Sequence, residues 1–269
     1  MILPTRAVEK PWGRERLPAP FAGAEGKRIG EIWFEPPEAM PDLLVKYIFT
    51  SEKLSVQVHP SDAQTLAAGL GRQGKTECWL VLDAEPGATL GIGFSEPVDA
   101  PAMRQAAIDG SIEEMLAWHP VKAGDFFYIP ANTVHAIGAG IALVEVQQNS
   151  DITYRLYDYG RPRPLHLDEG IAVASGERYP DRLHRTIAEQ GKIVLAGEAP
   201  FRLVRFDGPL GEEAGCGFGQ GPLLVLPLAG SVAVMGESIA PGACALAPAL
   251  ALLAIDEGAR GLIAQPIAA

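Results

Sequence analysis

Cysteine is almost missing from this chain: 269 residues hold three, Cys78, Cys216 and Cys244, with no CxxC spacing among them. An odd number without paired spacing supports neither a disulfide framework nor a thiolate metal site, and it fits a reducing compartment. Positive charge is also short, with 22 Lys and Arg against 33 Asp and Glu and a net charge of −11. Long-range repulsion then opposes nucleic acid and anionic membrane as partners, so an anionic substrate would need a locally basic pocket. Long hydrophobic runs are lacking too. The most apolar segment, IAPGACALAPALALLAI, is broken by Pro241, Gly242 and Pro248, and the opening MILPTRAVEKPWGRERL has no apolar signal core. A cytoplasmic protein with no membrane span is expected.

What is plentiful is glycine and proline, 30 and 23 residues, in a chain that is 48% apolar and only 20% charged. That balance suits a folded, turn-rich, mainly β protein, and the length allows one large domain or two small ones. Strands are expected at 28–34 (RIGEIWF) and 43–49 (LLVKYIF), and again in LSVQVHPSD at 54–62. A short helix should start at the Ser61-Asp62 cap, and residues 77–94 read as two strands around a Pro-Gly turn. Residues 95–119 interrupt this rhythm. Helical spacing of Met103, Ala106 and Ala107, and then of Ile112, Met115 and Leu116, predicts two short inserted helices before strands resume at GDFFYIP and IALVEVQQ.

A weak internal repeat runs through the chain. Gly124, Pro130 and His135 have the same spacing as Gly242, Pro248 and Leu253, so the second copy keeps the turn grammar and loses the imidazole. Two related β-barrels are expected, 1–165 equipped for chemistry and 166–269 degenerate. In LSVQVHPSD, alternation turns Leu54, Val56 and Val58 to one side and Ser55, Gln57 and His59 to the other. On a solvent face Gln57 and His59 would be ordinary surface residues; turned inward, they could hold an ion.

Gly-x5-Pro-x4-His, with Asn132 where a glycine is usual, resembles the second motif of the cupin superfamily. The wider set, KPWG at 10–13, LSVQVHPSD at 54–62, GKTECW at 74–79, GDFFYIPANTVHAIG at 124–138 and QQNSDITYRLYDYGR at 147–161, resembles the type I mannose-6-phosphate isomerases in their short bacterial form. The resemblance implies two jelly-roll-like cupin barrels, the second degenerate. It implies one Zn²⁺ per chain, held by Gln57, His59, Glu77 and His135, an oxygen and nitrogen donor set without thiolate that suits zinc left open to substrate. It also implies Lys75, Asp151 and Arg155 in a sugar-phosphate pocket, and interconversion of mannose 6-phosphate and fructose 6-phosphate through a cis-enediol. Two other classes remain open to test: a cupin dioxygenase, which would favour Fe²⁺ and more histidine ligands, and a non-catalytic sugar-binding cupin.

Overall fold

The computed structural model describes residues 1–22, 26–187, 191–210 and 217–267. The chain begins with strands β1 (Thr5–Arg14), β2 (Ile29–Phe34), β3 (Leu43–Phe49) and β4 (Val56–Val58), helix α1 (Asp62–Ala67), and strands β5 (Glu77–Ala84) and β6 (Thr89–Phe94). Helices α2 (Ala100–Asp109) and α3 (Ile112–Met115) follow, then β7 (Leu116–Pro120), β8 (Asp125–Ile129), β9 (His135–Ile137), β10 (Ile141–Gln148) and β11 (Tyr154–Tyr157). Helix α4 (Leu167–Val173) and β12 (His184–Thr186) lead to β13 (Ile193–Ala196), β14 (Phe201–Asp207), β15 (Leu223–Ala229) and β16 (Val232–Val234). The last strands are β17 (Glu237–Ile239), β18 (Ala245–Ala247), β19 (Leu253–Ile255) and β20 (Arg260–Pro266).

These strands form antiparallel sheets in the orders β1-β2-β3-β10-β5-β8-β12, β11-β4-β9-β6-β7, β13-β14-β20-β15-β18 and β17-β16-β19. The seven-stranded sheet is covered on both faces, and β3 and β10 are buried at every position. One face, with Val45, Tyr47, Leu80, Val144 and Val146, shares a core with Leu203, Leu224, Leu226 and Leu262 of the C-terminal sheet. Its other face, with Ile48, Trp79, Val81 and Leu143, packs on Leu90, Ile92 and Ile137 of the β4-containing sheet. Each large apolar side chain so enclosed contributes about 1.5–3 kcal/mol over leaving it in water. Beyond β4, Val56 and Val58 pack under Met103, Ala106 and Ile112 of the two short helices.

The inserted helices lie where helical spacing placed them, with the Asp99 side chain capping α2 and Gly110, at φ +87°, ending it. The insertion is shorter than expected. Leu116 is already extended, and β7 runs antiparallel to β6 with Trp118 opposite Gly91, where a Cβ would meet the indole at 3.2 Å.

Several contacts cross the expected division at 165/166. His184 of β12 pairs with Phe127 of β8, and Leu3 N–H donates to the Cys244 carbonyl at 2.8 Å. The spacing of the two repeat copies has a structural counterpart: β8 leads through a turn to β9 in the facing sheet, and β18 leads likewise to β19. Among the described residues, no helix is long and apolar enough to cross a membrane, and Cys78 and Cys244 are free and buried; Cys216 lies outside the described residues.

Candidate metal centre

Strand pairing brings the polar face of β4 into the interior. Gln57 lies opposite His135 of β9, while His59 continues one residue past β4 and is 1% exposed. Glu77 opens β5 on the facing sheet and is 0% exposed. The turn before β9 is tied to His59 directly: Asn132 N–H donates to the His59 carbonyl at 2.8 Å, and Asn132 Nδ2 donates to Gln64 Oε1 at 2.7 Å. Gln64 in turn closes the capping box of α1 with Ser61. Asn132 has φ +73°. A glycine is usual at such a position because left-handed backbone costs it nothing, and asparagine is among the few other residues that adopt it readily.

Ligand-type atoms of His59, Glu77 and His135 lie within 4.8 Å of one another, and all three residues are buried. His59 Nδ1 is 2.9 Å from the Ile152 carbonyl, and His135 Nδ1 is 2.9 Å from the Thr133 carbonyl. Carbonyl oxygens only accept, so both Nδ1 atoms carry the proton and both Nε2 lone pairs face the cluster. His135 Nε2 is 3.3 Å from Glu77 Oε1 and 3.3 Å from the Gln57 amide nitrogen, and His59 Nε2 is 3.6 Å from Glu77 Oε2. Four-coordinate zinc with bonds of about 2.0–2.1 Å sets its donors about 3.3–3.4 Å apart, close to this spacing. Glu77 Oε1 is buried and accepts no hydrogen bond. A cation is the partner such an oxygen calls for. Gln57 would serve with its amide turned over, Oε1 in place of Nε2.

Electrostatics keep the imidazoles ready as ligands. Burial, then the Lys75 ammonium, holds the His59 imidazolium well below its ordinary range, and the same causes bring His135 down to about 4. Burial and the nearby Glu145 push the Glu77 carboxyl up to about 7 against the pull of Lys75. Glu145 moves the other way: burial would raise it, but Lys46 and Lys75 outweigh burial and take it to about 2. Lys46 faces Glu145 across the β3-β10 pair at 2.7 Å, and Trp79 Nε1 donates to the same carboxylate at 2.9 Å.

Lys75 precedes β5, and its Nζ donates to Glu77 Oε2 at 2.6 Å and stands 3.0 Å from His59 Nε2. It also lines a cleft with Gln57, Arg155, Lys46, Glu145, Lys10 and Arg163. Arg155 pairs with Gln57 across β11-β4, and its Nε is buried without a hydrogen-bond partner. Asp151 is exposed and does not line the cleft. The structure thus gathers Gln57, His59, Glu77, His135, Lys75 and Arg155 in one region, and leaves Asp151 outside. Sequence reasoning passed over Lys46 and Glu145. Their signal was a lone charge inside each of the apolar runs LLVKYIF and IALVEVQQ, one opposite the other.

No family model matches the chain. A mannose-6-phosphate isomerase of Streptococcus mutans is 46% identical over 137 residues, 49% of this chain and 43% of that protein. The chain is a relative of the mannose-6-phosphate isomerases. Mannose-6-phosphate isomerase ManA of Bacillus subtilis is 42% identical over 159 residues, 57% of this chain and 50% of the relative. The chain spans about half the length of the curated mannose-6-phosphate isomerases it matches. In fold, it matches the crystal structure of the mannose 6-phosphate isomerase from Bacillus subtilis with a TM-score of 0.81 at 24% identity, over 98% of both chains. A zinc-bound holo mannose 6-phosphate isomerase matches with a TM-score of 0.73 at 15% identity, over 99% of both. These likenesses establish the fold as that of the mannose-6-phosphate isomerases.

Proposed function

We propose that this chain is a metal-dependent aldose-ketose isomerase that interconverts mannose 6-phosphate and fructose 6-phosphate through a cis-enediol. Gln57, His59, Glu77 and His135 would hold one Zn²⁺ per chain. The observation that carries this reading is the buried His59–Glu77–His135 cluster, with both Nε2 lone pairs turned inward and an unpartnered carboxylate oxygen between them. The names of the relatives point the same way, and one structural neighbour is described as zinc bound. Bound zinc supplies a Lewis acid that polarises or orients the sugar oxygens.

The remaining roles fall to the chain's own groups. Lys75, 5% exposed, reaches both the cluster and the cleft, and is placed to donate to an oxygen as negative charge develops on the enediolate. Arg155 stands opposite Gln57 with a donor to spare, which suits the same charge or the phosphate. Glu145 is ionised in the cleft, but a carboxylate held near 2 is a weak base, so its affinity for Lys46 suits it to fixing that ammonium better than to taking a carbon-bound proton. A role for Asp151 in ring opening rests on the family resemblance alone. A sugar phosphate as substrate and a cytoplasmic location belong to the same proposal.

Incubation with mannose 6-phosphate in deuterated water, followed by NMR, tests it. The expected result is fructose 6-phosphate formed only with metal present, with deuterium entering at the position of proton transfer. No ketose from verified metal-loaded protein would overturn the reading, since neither a dioxygenase nor a non-catalytic binder makes that product.

A further inference from the structure

We propose that Arg163 is an anion-gripping residue of the cleft, a guanidinium fixed in place by Asp158 that takes the substrate's phosphate. The identity of the anion rests on the isomerase reading; the site itself rests on the geometry.

Asp158 is 2% exposed and receives two hydrogen bonds from Arg163, Nε to Oδ2 at 2.6 Å and Nη2 to Oδ1 at 2.7 Å. This parallel pair occupies one edge of the guanidinium and locks its plane. Among the described residues, Nη1 of Arg163 has no hydrogen-bond partner, so its two N–H groups stay available on the other side. Arg161 donates to the same carboxylate at 3.1 Å and with its other amino group to Glu52 at 3.1 Å, so Asp158 is not left to Arg163 alone. The backbone is also restrained, because Arg163 lies between Pro162 and Pro164, and a residue before proline is confined to extended conformations.

Arg163 shares the cleft with Arg155. The cleft's other three cations are engaged, Lys10 with Glu31 at 3.5 Å, Lys46 with Glu145 at 2.7 Å and Lys75 with Glu77 at 2.6 Å. Arg155 and Arg163 both line the cleft, the first with a buried Nε that has no hydrogen-bond partner. Two like charges held together beside a cleft are eased by an anion between them. In a chain of net charge −11 this excess of cations is local, which is the basic pocket that an anionic substrate requires. A purely architectural Arg163 would need only its Asp158 edge.

Calorimetry with inorganic phosphate on the metal-loaded full chain tests the proposal, alongside steady-state kinetics on mannose 6-phosphate and thermal melting. Arg163→Ala leaves Asp158 with Arg161 as partner. It should weaken phosphate binding and raise KM by about 10- to 100-fold with kcat little changed, the loss expected for one charge-assisted contact that does not strengthen in the transition state. Arg163→Lys should recover part of the affinity. A merely structural Arg163 would lower Tm and leave phosphate affinity as in wild type, which overturns the proposal; so does wild-type protein that binds no phosphate. Should Arg163→Ala fail to fold, Arg163→Lys decides, and phosphate affinity equal to wild type overturns it. Wild-type protein that binds phosphate through Arg163 but makes no ketose keeps this site and removes the isomerase reading instead.

Discussion

Asn132 and His135 illustrate how much two side chains can be asked to do where the chain passes from β8 to β9. Asn132, where a glycine is usual, accepts the left-handed backbone and adds an amide hydrogen bond to Gln64, fastening α1 to the approach of β9. His135 is enclosed as a neutral ring, and this has a consequence for the protein without metal. Its folded pKa of about 4 lies below the unfolded value of about 6.5, so between those pH values the unfolded chain binds the extra proton and the folded chain does not. Stability is therefore fully present above about pH 6.5 and lost as pH falls toward 4, on the order of 3 kcal/mol for this group. Glu77, raised to about 7, contributes with the opposite sign over the same range, and His59, also held low, contributes with the same sign as His135. The His135 share is therefore read as a difference: in denaturant unfolding of chelator-treated protein, His135→Gln should lose less stability than wild type as pH falls from about 6.5 toward 4. Parallel profiles for the two proteins would show that the ring is not buried neutral.

At the scale of the element, β10 shows what a polar pair costs in a strand enclosed on both sides. Lys46→Met would leave the Glu145 carboxylate buried without its ammonium, and should destabilise by about 3–5 kcal/mol. Adding Glu145→Gln removes the stranded charge while keeping an oxygen for Trp79, so the double variant should recover most of that loss. Equal instability of single and double variants in urea would mean the pair is not the cause. The same strand explains what the sequence disclosed and what it hid. β4 was legible because it alternates, and β2, β3, β5, β6, β8 and β10 were bounded by turn residues. β9, three residues long, offers too short a pattern, and β1 is half exposed and broken in register, so neither announces itself. Gln57, His59, Glu77 and His135 stood out as recognisable motif positions. Glu145 and Lys46 did not, because a charge that is satisfied only across strands gives no local sign of its partner.

For the whole molecule, the repeat leads to a stoichiometry. Leu253 begins β19 as His135 begins β9, and among the described residues His59, Glu77 and His135 form the one group of three or more such side chains able to meet at a metal. Elemental analysis of dialysed protein should give about one zinc per chain; a second tightly held equivalent would show that the C-terminal copy has been misread.

The seven-stranded sheet presents Glu77 and Glu145 on one face, and on the other Cys78, Val144 and Val146 lie in the core shared with Leu224, Leu226 and Leu262. Among the described residues, those of the C-terminal half supply none of the cleft's lining. Even so, any resettling of Leu226 or Leu262 reaches the carboxylates through a single thickness of backbone. Over evolutionary time, the C-terminal half is therefore free to drift along its outward surface and held to account along its inward one, where a conservative leucine exchange would be selected by its effect on a pocket it never touches.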